Sequence, residues 1–135
     1  MRYLIILLLA ASVMSCSIQK QGTKQAFEDS KVDNDTIRIA NDSLEYEIII
    51  IEPGFNAWLA TERPRGYYGL NYMEQRNRFY VTTYNIRAIN PLRWGPNLYP
   101  MQINYENNVD YGYEVNYLLY HYFLYFEEKY NQRLR

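Results

Sequence analysis

The stretch YGYEVNYLLYHYFLYF, residues 111–126, places six tyrosines and two phenylalanines in sixteen positions. Any fold the chain adopts must find room for them. Val115, Leu118, Leu119, Tyr122, Phe123, Phe126 and Tyr130 recur at the spacing of a helix with one buried stripe. The pattern predicts a helix from about Asp110 to Gln132. Asp110 and Glu114 near its start, and Lys129 and Arg133 near its end, complement the helix dipole. Tyr113, Tyr117, Tyr120, Leu124 and Tyr125 fall on the opposite side. Asn116 and His121 interrupt the run, which is shorter than the roughly 20 apolar residues of a membrane span. A tyrosine ring is apolar and its hydroxyl is not, so this second face suits a partly wet surface. Either the irregular segment 91–109 covers it, or another molecule does: a protein partner, a small ligand or a glycan.

Upstream, Thr36–Ala40 and Ser43–Glu47 alternate apolar and polar residues around Asn41-Asp42, a pair that tolerates positive φ. A tight turn there opposes Ile39 to Leu44, Arg38 to Glu45 and Ile37 to Tyr46. Apolar pairs then share one face and the opposite charges share the other. Through Ile48–Ile51 both faces turn apolar, which predicts cover on both sides, until Pro53-Gly54 ends the strand. Phe55, Trp58 and Leu59 fit one face of a short helix, with Trp58 in the core. Asn71 followed by Glu74 has the form of a capping box. It would open a second helix with Met73, Tyr80, Tyr84 and Ala88 on one face and Pro91 as its stop. Residues 91–109 hold three of the five prolines and read as an irregular connection; Met101, Ile103 and Tyr105 alternate and allow a short third strand. The expected fold class is α+β: an N-terminal β-hairpin, with room for a third short strand, packed against two or three helices, the last long and aromatic.

The N-terminal residues follow a different logic. Met1-Arg2-Tyr3 is a short basic start, Leu4–Val13 is apolar, and Val13-Met14-Ser15-Cys16 resembles a bacterial lipobox. The resemblance implies a signal peptide over residues 1–15 and acylation of Cys16, the chain's single cysteine. Several acyl chains on one residue give stable anchoring. Residues 17–35 are polar, mixed in charge and poor in large apolar side chains, the composition of a spacer, with an r.m.s. span of roughly 25 Å. Residues 16–35 are therefore expected to form a lipidated tether, and 36–135 a single globular domain. No acidic run follows Cys16, which favours the periplasmic face of an outer membrane over the cell surface. Without residues 1–15 the chain has thirteen basic and fifteen acidic side chains, a balance that gives no drive toward nucleic acid.

Chemistry has little material. One histidine and one lipid-committed cysteine do not make a zinc site, so no metal or other cofactor is expected. Ser43 is the only serine beyond residue 35. His121, with Tyr117 and Tyr125 one turn away on either side, reads as part of an aromatic row rather than as a general base. Glu52, Glu62 and Glu74 flank turns or helix ends, where a pair could act on a glycosidic bond, and nothing singles them out. No catalytic residue is assigned. The best candidate for binding is ERPRGYYG, residues 62–69, a loop stiffened by Pro64 and bent at Gly66 and Gly69. Arg63, Arg65, Tyr67 and Tyr68 are residue types enriched at binding hot spots. The structural alternative pairs its arginines with Glu62 and Glu74 and packs its tyrosines inward. Trp94 in the proline-rich segment, and Tyr117, Tyr120 and Tyr125 on the second helix face, complete the candidate set.

DTIRIANDSLEYEIIIIE, GFNAWL, RPRGYY and EVNYLLYHYFLYFEEKYNQRL together resemble a family of small Bacteroidota lipoproteins built on a domain of unknown function. The resemblance spans about residues 35–134 and implies a cell-envelope setting without supplying an activity. The function expected first is a tethered accessory or protein-interaction subunit at the outer membrane. A glycan- or peptidoglycan-binding module using exposed Tyr, Trp and Arg is the alternative, and a small hydrolase the third.

Overall fold

The structure is a computed structural model that describes residues 36–134; the expected signal peptide, Cys16 and the expected tether lie outside these residues. Strands β1 (Thr36–Asn41) and β2 (Tyr46–Ile51) form an antiparallel hairpin. They are followed by helices α1 (Phe55–Leu59), α2 (Leu70–Ala88), α3 (Pro91–Trp94) and α4 (Gly112–Lys129). The aromatic helix α4 is the hub, since β1, α1 and α2 all pack against it. The α+β class expected from the sequence is the observed one.

The hairpin turns through four residues rather than two. Asp42–Leu44 make a 3₁₀ turn, the Asn41 side chain accepts a hydrogen bond from the Ser43 amide, and Glu45 takes a left-handed conformation (φ 51°). The pairs are therefore Ile37 with Ile50, Arg38 with Ile49 and Ile39 with Ile48, a shift of four residues from the expected register. An even shift keeps the strand side chains on their expected faces, while Leu44, expected opposite Ile39, falls in the turn and is exposed. Ile37, Ile39 and Ile48 accordingly enter the core, while Arg38 pairs with Glu47 and Asp42 instead of Glu45. The expected cover on both faces of β2 is absent among the described residues. Ile49 and Ile51 point outward, and Ile51 is 75% exposed.

Helix α2 begins at Leu70 on an extended Gly69, with no side-chain cap, so the Asn71–Glu74 box does not form. Met73, Asn77, Tyr80, Val81 and Tyr84 face α4. The sheet of the described residues has two strands. Asn85 of α2 takes both main-chain groups of Ile103, accepting from its amide and donating to its carbonyl, each at 2.8 Å. That side chain does what a neighbouring strand would have done. Segment 91–109 is otherwise irregular apart from α3, which Pro91 opens at a position where its missing N–H costs nothing. Helix α4 ends in a Schellman motif: Asn131 is left-handed (φ 48°), and the amides of Asn131 and Gln132 return to the carbonyls of Glu128 and Glu127.

Candidate functional site

The second face of α4 is covered, and the segment that covers it is 53–72 rather than 91–109. Tyr117, Tyr120 and Tyr125 are all buried. The Tyr120 hydroxyl lies 3.5 Å from that of Tyr72 on α2, and the other two hydroxyls meet the loop above. Tyr125 donates to the Pro53 carbonyl at 2.5 Å, and Tyr117 to the Arg63 carbonyl at 3.2 Å. Tyr113 accepts from the Gly66 amide at 2.6 Å. The loop backbone needs these partners, because a polar group facing an aromatic floor without one costs free energy. Segment 91–109 covers another side instead: Tyr99 packs on Phe126, and the Tyr105 hydroxyl donates to Asn116 Oδ1 at 2.7 Å.

This cover brings together seven of the eight candidate residues in the described part. The Arg65 guanidinium lies over the Tyr117 ring at 4.4 Å and makes a two-pronged ion pair with Glu114. The hydrogen bonds from Arg65 lower the Glu114 carboxyl below its ordinary value, outweighing the burial that raises it. The expected pairing with Glu62 and Glu74 is not seen. Arg63 lies over Tyr67 at 4.9 Å, Tyr67 meets Tyr68 edge-on, and Tyr68 packs against Tyr120. Tyr125 joins through Trp58, 5.3 Å away. Trp94 stands apart, held between Arg87 and Arg93 beside Tyr99.

Two members were missed by sequence reasoning. Tyr68 stacks on Tyr72 with centroids 5.5 Å apart, and Arg76 lies over Tyr72. The i, i+4 spacing of Tyr72 and Arg76 on one helix face was the available signal. The outcome is a ridge, Arg63–Tyr67–Tyr68–Tyr72–Arg76, with cations seated on ring faces at both ends. Tyr67 is 58% exposed. Beneath the ridge, burial drives the Tyr120 hydroxyl far above its ordinary pKa, so it stays neutral.

His121 sits under the ridge, fully buried, with its ring 4.2 Å from that of Tyr117. Its Nδ1–H donates to the Tyr117 carbonyl at 2.8 Å, and Nε2 has no partner. Burial lowers its pKa. The aromatic row expected from sequence is therefore present, and the ring is sealed from solvent. Of the acids considered for catalysis, Glu52 is buried against Lys129 and Tyr130. Glu62 lines an open cleft of about 580 Å³ with Trp58, Glu127 and Glu128. In that cleft the Trp58 indole donates to Glu128 and the Leu134 amide to Glu127. No group of His, Cys, Asp and Glu among the described residues could hold a metal ion, and no described helix is long and apolar enough to cross a membrane.

No curated protein and no solved structure matches the chain. A family of unknown function does, over residues 3–135. The chain therefore belongs to that family, DUF6146.

Proposed function

We propose that the protein is a cell-envelope lipoprotein, acylated at Cys16, whose domain binds another envelope protein through the Arg63–Tyr67–Tyr72–Arg76 ridge. The observation that carries this reading is the pre-ordering of exposed aromatic rings by arginines. Tyr67 is held edge-on by Tyr68 and capped by Arg63, so little side-chain freedom remains to be lost on binding. Tyr and Arg dominate protein-binding hot spots. The lipobox and spacer support attachment to a membrane, and the lack of an acidic run after Cys16 supports the periplasmic face of an outer membrane.

Two measurements test the reading. Metabolic labelling with an alkyne fatty acid should mark the wild type and not Cys16→Ala; label on both would remove the anchor. A photo-crosslinking residue at position 67 in cells should give one discrete adduct that Arg63→Ala weakens, while the same residue at position 45, the hairpin tip, gives none. Equal adducts at both positions would remove the ridge. The glycan alternative also draws on the exposed Tyr67 ring, over which Arg63 already lies. It predicts retention on purified cell wall that Tyr67→Ala abolishes.

A further inference from the structure

We infer that the outer side of α2 and the α3 turn form a contact surface for an anionic lipid bilayer. Helix α2 carries apolar residues on two faces. One face packs on α4; on the other, Tyr72, Phe79 and Ile86 repeat every seven residues and run along the exposed side for about 21 Å. Phe79 is 68% exposed, and Ile86 and Ile89 are comparably open. At the end of this row Leu92 is fully exposed (104%). The turn that presents Leu92 is fixed: Pro91 opens it, the Asn90 side chain donates to the Ile86 carbonyl at 2.7 Å, and the Arg93 and Trp94 amides return to Asn90. A leucine held out on a rigid turn is an unfavourable placement in water and a favourable one against acyl chains.

Charge supplies the second, independent observation. Residues 75–105, bounded by Glu74 and Glu106, contain Arg76, Arg78, Arg87 and Arg93 and no Asp or Glu, in a chain whose net charge is −1. The arginines elsewhere that face carboxylates, Arg38 and Arg65, form ion pairs. None of these four does so among the described residues. Arg78 donates to the Asn107 carbonyl, and Arg87 to the Tyr99 hydroxyl, Gln132 Oε1 and the Arg133 carbonyl, all neutral oxygens. Arg93 lies over the half-buried Trp94. Glu74 lies one turn before Arg78 on α2 and both act on Tyr105, so the excess positive charge rests on Arg76, Arg87 and Arg93. Such charge beside a shallow apolar row, with a tryptophan at its edge, matches the headgroup–acyl boundary of an anionic leaflet. The protein-binding ridge reaches this face only at Tyr72 and Arg76; Phe79, Ile86, Ile89 and Leu92 follow further along the chain and are exposed.

The test uses the chain from residue 16 with Cys16→Ser, which carries no acyl group. Failure of the lipoprotein reading and failure of this one are thereby distinguishable. The protein should sediment with vesicles of phosphatidylglycerol and phosphatidylethanolamine and not with phosphatidylcholine alone, and added salt should release it. Phe79→Ser/Ile86→Ser/Leu92→Ser should weaken partitioning by roughly tenfold or more. Arg76→Gln/Arg93→Gln should weaken it by about fivefold per arginine. Ile49→Ser/Ile51→Ser, on the exposed hairpin face, is the matched control and should change nothing. Binding that ignores headgroup charge, or is lost as fully in the hairpin control, overturns the inference. So does a dimer that the α2 triple substitution disperses while vesicles bind neither form.

Discussion

Replacing Lys129 with methionine isolates the ion pair on which the junction of hairpin and hub helix depends. Glu52 is 5% exposed. Its carboxylate receives Lys129 Nζ at 2.6 Å and the Tyr130 hydroxyl at 2.9 Å, and Nζ also reaches the Pro53 carbonyl. Methionine keeps the apolar stem against Tyr125 and Tyr130 and removes only the charge. Breaking one side of a buried pair costs about 3–5 kcal/mol. Here the Lys129 side chain is 30% exposed, so water can enter the vacated place while Tyr130 still donates. We place the loss at about 2–3 kcal/mol, a large share of the roughly 5–15 kcal/mol that holds a domain folded.

Urea melts of the wild type, Lys129→Met, Glu52→Gln and the double variant measure this. The double variant should be at least about 1 kcal/mol more stable than the sum of the two single losses implies, because no charge is then left alone. The pH dependence has a definite sign. Burial lowers the Lys129 pKa, the hydrogen bond to Glu52 outweighs it, and the net shift is upward from 10.5. A raised folded-state pKa gives stability that is complete below the unfolded value and lost as pH climbs through the folded one. On the alkaline side, the gap between wild type and Lys129→Met should therefore narrow as pH rises above about 10.5. A loss under about 0.5 kcal/mol for Lys129→Met, the range of ordinary surface changes, or strict additivity of the two singles, would refute the reasoning.

Gly54→Ala should cost roughly 2–3 kcal/mol: Gly54 has φ +87°, and a Cβ there would sit 2.9 Å from the Tyr125 hydroxyl that holds Pro53. Gly66→Ala, at φ +90° in open space, should show the backbone part alone, about 1–2 kcal/mol; equal losses in thermal melts would mean that the Tyr125 contact carries no energy. Burial lowers the His121 pKa from 6.5, so the unfolded chain binds the proton first. Stability should be complete above pH 6.5 and fall as pH drops from there toward the folded-state pKa. His121→Phe should flatten that stretch of the urea-midpoint profile, and an unchanged slope would assign it to other groups.

Face and register were legible to different degrees in the hairpin, for a physical reason. Alternation has period two, so it reports which side chains point inward and is blind to an even shift of partner. The register depends on the turn, where the Asn41 side chain caps Ser43 and Glu45 adopts a left-handed backbone; neither leaves a pattern in hydropathy. The helices were legible because Met73, Tyr80 and Tyr84, and Val115, Leu119 and Phe123, keep their spacing whatever packs against them. The third strand failed where Asn85, eighteen residues away, met both main-chain groups of Ile103. The ridge was half legible. Arg63 to Tyr68 are contiguous in sequence, while Tyr72 and Arg76 join only because the loop folds back onto α4. The cleft beside Trp58 draws Glu62 against Glu127 and Glu128 from the other end of the domain, a proximity no local pattern encodes.

The choice of tyrosine over phenylalanine on α4 follows from that same fold-back. A helix ringed by aromatic side chains can be sealed from water only by segments too short and too irregular to pair their own backbones. Such segments carry unsatisfied amides and carbonyls onto an apolar surface, which phenylalanine would leave stranded. A hydroxyl at the rim of each ring meets them. Tyr113, Tyr117 and Tyr125 serve the 53–68 loop, Tyr111 receives the Glu106 amide, and Tyr46 on β2 reaches the Asn104 carbonyl. One residue type thus supplies both the buried area and the partners that let irregular chain lie upon it. The loop so pinned is the one that carries Arg63 and Tyr67. The hydroxyls that stabilise the core therefore also fix the geometry of the exposed ridge. Tyr117→Phe should accordingly loosen the ridge near Arg63 while leaving the ring packing of α4 intact.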